Sequence, residues 1–224
     1  MGFKSKEVES SGSTGPRQEV IAVGNYPARL VQLIDLGLQT QRPYMGNEKP
    51  PVHMLRTTYE LCTEFCKDDD GNEDTDRPRW VGEEFPFYNL SVERAKSTQR
   101  YNGIDPLGEN DGDWELLVGR DCTVTIVHNA DKKDASKVYA NIGSVSPSMK
   151  GMATPELVND AVVWSLDDPD VEQFNKFPDF IKNKILSNLN FAGSVLEARL
   201  GGEPDPAEND ETDAAEHLEE NPFG

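Results

Sequence analysis

Aromatic and basic side chains interleave through the middle of this chain: Arg56 and Tyr59, then Arg79, Trp80 and Tyr88, then Lys96, Arg100 and Tyr101, and farther on Lys132, Lys133 and Tyr139. Flat rings accept a stacked base of any sequence, each such contact being worth roughly 1–3 kcal/mol, while neighbouring cations follow the phosphates. The mixture therefore suits a single strand of nucleic acid held without sequence preference. The same residue types also build cores and solvated turns: Tyr59 and Phe87 fit a buried strand position as well as a stacking platform, and turn lysines such as Lys132 and Lys133 are commonly just hydrated.

Catalytic templates are missing. There is no G-x-x-x-x-G-K-S/T phosphate loop, no G-x-G-x-x-G, no G-x-S-x-G and no H-E-x-x-H. With His53, His128 and His217 as the only histidines, a histidine-based catalytic or zinc site has little to draw on. The acidic run Asp68–Asp76 looks like a calcium loop, but placing Gly71 at its sixth position puts Cys66 first and Arg77 twelfth, where carboxylates are needed. Cys62, Cys66 and Cys122 lack metal-ligand spacing and read as reduced thiols. No catalysis and no cofactor are expected.

The net charge of −19 is unevenly spread. From Glu203 onward there are nine acids and no Lys or Arg, which leaves 32 acidic against 22 basic residues in the rest of the chain. Asp68, Asp69, Asp70, Glu73, Asp74 and Asp76 account for six more acids in nine positions, and the remainder has a balance in which a local basic face is possible. No run approaches the roughly 20 apolar residues of a membrane span, and the start has no apolar signal core, so the chain is expected to stay in the cytoplasm.

The elements that must position these residues are mostly strands. Tyr26–Leu38 reads as a long bent strand, and His53–Phe65 alternates with period two, giving one mainly apolar face and one polar face that carries Arg56. Arg79–Phe87 completes a hairpin across the acidic turn. Ser91–Tyr101 reads as a short helix with Ser91 as N-cap. Asp121–Asn129 and Lys137–Val145 form a second hairpin. Asp168 and Pro169 open a helical turn, and Pro178 opens another helix that can turn Phe180, Ile181, Ile185 and Leu189 inward. Five strands with a helix between the third and fourth is the order of an OB-fold, a five-stranded Greek-key barrel that commonly binds oligonucleotides. The expected organisation is a mainly β domain over residues 20–200, preceded by a flexible arm, 1–19, and followed by a disordered acidic tail, 201–224.

The tail closes Glu219, Glu220, Asn221, Pro222, Phe223, Gly224. Acids leading to Pro222 and Phe223 suit a peptide that seats a ring in a partner's pocket while its carboxylates meet surrounding cations. Here the chain resembles the single-stranded DNA-binding proteins of tailed bacteriophages, and more loosely the bacterial ones, which join an OB-fold to an acidic tail ending in Phe. Gly24–Leu38, Pro78–Phe87 and Thr123–Ile142 look like segments of the phage proteins. The tip departs from theirs in that Gly224 follows the Phe. The resemblance implies a protein that coats single-stranded DNA during phage replication, recombination or repair in the infected host, and that recruits replication or recombination proteins through Pro222 and Phe223. By analogy the tail also covers the basic groove when DNA is absent. The alternative is an acidic interaction protein, a DNA mimic or a virion-associated adaptor, whose charge occupies a DNA site on a partner.

Overall fold

Period-two runs become long strands. The computed structural model describes residues 18–130, 137–151 and 153–201; Lys132, Lys133, Pro222, Phe223 and the acidic tail lie outside them. β1 (Gly24–Gln39), β2 (Val52–Lys67) and β3 (Glu73–Pro86) form an antiparallel meander, and β4 (Asp121–Ala130) and β5 (Val138–Ser146) form a hairpin. β1 also pairs with β4, so the sheet runs β3-β2-β1-β4-β5. It curls into an antiparallel half-barrel that brings β3 towards β5. A sixth strand, β6 (Val162–Trp164), lies parallel to β1 and was not anticipated from the sequence. Among the described residues no helix is long and apolar enough to cross a membrane.

The helix after the third strand starts later than its sequence implies. Asn89 accepts the backbone N–H of Ser91 and also closes a turn with Val92, which takes residues 89–92 out of helical geometry. α1 (Lys96–Ile104) then begins after Ala95 without a side-chain cap, so Ser91 is not the N-cap. The helix lies against β5, β3 and β4. At the C-terminal end, Asp170 rather than Asp168 caps α2 (Val171–Lys176), accepting from the Gln173 N–H at 3.0 Å. α3 (Asp179–Leu186) and α4 (Val195–Gly201) follow.

The middle of the sheet, at β1 and β2, is buried on both faces. Inside the curl, Leu30, Tyr59, Phe85, Ile126 and Tyr101 pack with Trp114. On the outside, Ile34 and Leu36 are covered by Trp164, Phe174, Phe177, Ile181 and Ile185. Two bulges in β1, the second closed by Gly37 at φ +71°, let one strand feed both cores. β2 accordingly has no solvated polar face in its middle: Thr58, Glu60 and Cys62 are as enclosed as Thr57, Tyr59 and Leu61. Burial of each large apolar side chain contributes about 1.5–3 kcal/mol, so the C-terminal segment is an integral part of the fold.

The seat of α1 against the barrel depends on Gly103. A Cβ there would lie 2.3 Å from the Val145 carbonyl oxygen, a backbone atom that cannot swing aside. Gly103→Ala is expected to lose about 1–3 kcal/mol in urea unfolding. An unchanged midpoint would show that α1 is free to shift.

Candidate nucleic-acid interface

Register places three cross-strand rows on the outer face of β1, β2 and β3: Arg29–Glu60–Trp80, Gln32–Thr58–Gly82 and Ile34–Arg56–Glu84. The first row holds the segment that leads to β6. Arg29 donates to the carbonyls of Pro155 at 2.7 Å and Thr154 at 3.1 Å, and to the Glu156 carboxylate at 3.0 Å. The fully enclosed Glu60 accepts the Val158 N–H at 2.7 Å, the Asn159 N–H at 3.3 Å and the Asn159 side-chain amide at 2.6 Å. It also accepts the Trp80 indole N–H at 3.1 Å, which fixes the orientation of that ring. In the third row Arg56 meets Glu84 at 3.2 Å and lies 5.0 Å from the Phe180 ring centre. Burial lowers the pKa of its guanidinium, and the Glu84 carboxylate opposes that shift.

Three of the residues nominated from sequence come together where β3 faces β5. Arg79, Trp80 and Tyr139 line a cleft of about 330 Å³, with Val138, Ile142 and the chain at residues 18–21 as its other walls. Trp80 is 40% and Tyr139 51% exposed, so both rings offer area to a ligand. Arg79 forms no ion pair among the described residues, unlike the other nominated cations described here.

Those other cations are tied to carboxylates. Lys96 meets Glu83 at 3.1 Å. Arg100 is buried, forks onto both Glu83 oxygens, and donates to the carbonyls of Ile142 at 3.3 Å and Gly143 at 3.4 Å. It joins α1 to β3 and β5, and it presents no charge to solvent. Tyr59 is wholly enclosed, with its phenol pKa raised by burial, and no base can reach its ring. Tyr101 is equally enclosed; its hydroxyl accepts the Gly112 N–H at 2.8 Å and donates to Asp105 at 3.3 Å. Its ring meets Trp114 edge-on at 5.5 Å. Tyr88 is exposed, but it follows the end of β3 and lines a separate cavity of about 990 Å³ with Phe87, Leu107 and Trp114. Arg56 and Trp80 share a further groove with Phe180, on the outer face.

The helical spacing that turned Phe180 and Leu189 inward is corrected: Ile181 and Ile185 are buried, whereas Phe180 and Leu189 are exposed. Among the described residues no three His, Cys, Asp or Glu side chains are grouped to hold a metal ion. Cys62, Cys66 and Cys122 are free thiols, and burial pushes Cys62 up to about 11. Sequence reasoning passed over Arg29, Glu60 and Asn159. The available signal was Glu60, a carboxylate inside the otherwise uncharged run Thr57–Thr63 of β2. No protein-family model matches the chain, and no curated protein matches it.

The two kinds of arginine separate experimentally. Arg100→Ala removes the buried fork onto Glu83, leaving that carboxylate only the half-exposed Lys96, and is expected to lose about 3 kcal/mol of stability. Arg79→Ala should stay within about 0.5 kcal/mol of the parent. Urea unfolding of the two variants reads this directly, and equal losses would contradict the assignment.

Proposed function

We propose that the chain is an OB-fold protein that binds single-stranded DNA with little sequence preference, without catalysis or a required cofactor, in the replication, recombination or repair of a phage genome. The observation that carries this reading is the convergence of Arg79, Trp80 and Tyr139 on one cleft between β3 and β5. Two partly exposed rings beside an unpaired cation are what a base and its phosphate require. The strand order, with the ends of the half-barrel at β3 and β5 and a helix between β3 and β4 in sequence, agrees with an OB barrel and supports the same reading. In this account the acidic segment from Glu203 keeps nearly half of the net negative charge off the domain, competes for the cleft when DNA is absent, and docks partner proteins through Pro222 and Phe223.

A second reading, an acidic protein that occupies a DNA site on a partner, is favoured by one observation: Arg56, Lys96 and Arg100 are all matched by Glu83 or Glu84, which limits the positive field of the face.

Titration with oligo(dT) distinguishes the two. Trp114 and Trp164 are buried, so quenching of tryptophan emission on binding reports Trp80. Binding is expected to weaken steeply with salt. It should tighten when residues 202–224 are removed, and fall roughly tenfold in Trp80→Ala. No quenching and no change in oligonucleotide anisotropy, with or without the tail, would favour the acidic-mimic reading.

A further inference from the structure

On the outer face, a groove of about 470 Å³ runs between the segment around Asn159 and helix α3. Its size is in the range of small-ligand sites, roughly 300–1,000 Å³. The middle cross-strand row, Gln32–Thr58–Gly82, supplies its floor, and the rows on either side supply Trp80 and Arg56 as walls. Thr58 is 4% exposed, yet among the described residues its hydroxyl has no hydrogen-bond partner. The Arg56 Nε, also enclosed, is without one too. Buried polar atoms are nearly always paired, and these two, enclosed beneath the groove, leave its floor polar and incompletely satisfied. Phe180, 56% exposed on α3, adds a ring at the mouth, and Lys176 at the end of α2 adds a solvated cation. Gly82 keeps the floor open: a Cβ there would stand 2.6 Å from the Arg56 Nη2.

Trp80 and Gly82 line both this groove and the β3–β5 cleft, so a strand crossing β3 at Trp80 passes from one to the other. We propose that the groove receives a nucleotide of the bound DNA strand, which makes the C-terminal helices a wall of the DNA site as well as a cover for the sheet. The Thr58 hydroxyl and the Arg56 Nε–H lie enclosed beneath the base. Its face lies against Phe180 or Trp80. The phosphate sits towards Lys176 rather than the carboxylate of Asp160, which also lines the groove. Exposed rings on the walls beside a solvated cation match an aromatic nucleotide better than an aliphatic ligand.

This inference rests on the reading of the chain as a single-stranded DNA binder, and its test separates the two. In the full chain, oligo(dT) affinity is measured by anisotropy for Phe180→Ala, Lys176→Ala, Gly82→Ala and Trp80→Ala, with thermal unfolding as the check on folding. Phe180→Ala is expected to weaken binding about tenfold, without loss of folding, because its ring is exposed. Lys176→Ala should reduce the slope of log K against log salt by about one. Gly82→Ala, which displaces the Arg56 head, should weaken binding as well. If these three variants bind as the parent does while Trp80→Ala is impaired, the strand bypasses the groove, and the inference is overturned with the DNA-binding reading intact. A parent chain that fails to bind oligo(dT) overturns both.

Discussion

The carboxylate of Glu60 is the contact on which the outer half of this structure depends. It is fully enclosed on β2 and accepts hydrogen bonds from two backbone amides, one side-chain amide and one indole. A buried charge is tolerated only when its acceptor sites are filled in this way, and loss of the acceptor strands every donor at once. Beside it, Arg29 takes carbonyls of the same crossing segment. Cation to carbonyls and anion to amides is a complementary clasp, in which residues 154–159 have one seating. From there the chain enters β6 beside β1, and the helices that follow cover Ile34 and Leu36. The same carboxylate holds the Trp80 indole, so the ring shared by the cleft and the groove is oriented by the contact that anchors the C-terminal segment.

Charge is organised in a similarly local manner. The chain as a whole is at −19, but its acids concentrate at the 68–76 turn and beyond Glu203. On the domain, Glu83 and Glu84 stand in β3 opposite the cations of α1 and β2. The ion pair of Arg100 with Glu83 is structural: enclosed and multiply hydrogen-bonded, it ties helix to barrel. Arg79 contributes differently, since it is partly exposed with no carboxylate partner among the described residues. Proximity in sequence to an aromatic residue does not distinguish the two roles, and burial does.

Much of the sheet was legible because His53–Phe65 alternates with period two and runs rich in apolar and β-branched residues between turn residues mark the other four long strands; β3, however, begins at Glu73, within the acidic stretch read as a turn, rather than at Arg79. Three residues are too few to show a period, and β6 owes its place to the clasp, a long-range interaction with no local signature. Glu60 looked like any charge on the polar face of an alternating strand, because the segment that covers it lies about a hundred residues away. Phe180 adjoins Ile181 in a helix that advances about 100° per residue, and the buried pair Ile181 and Ile185 turns it to the mouth of the groove. Ring type alone did not tell Tyr59 and Tyr101, which fill the core, from Trp80 and Tyr139, which face outward. The choice of Ser91 as a cap failed because Asn89, two residues earlier, captures its amide first.

The most direct measurement is amide hydrogen exchange of the full chain with and without saturating oligo(dT). Protection is expected to rise in three stretches distant in sequence: 78–83 on β3, 138–142 on β5, and 176–182 across the end of α2 and the start of α3. A footprint confined to the far cavity around Leu107 and Trp114, or no change in those three stretches at saturation, would contradict the placement of the DNA strand on this face.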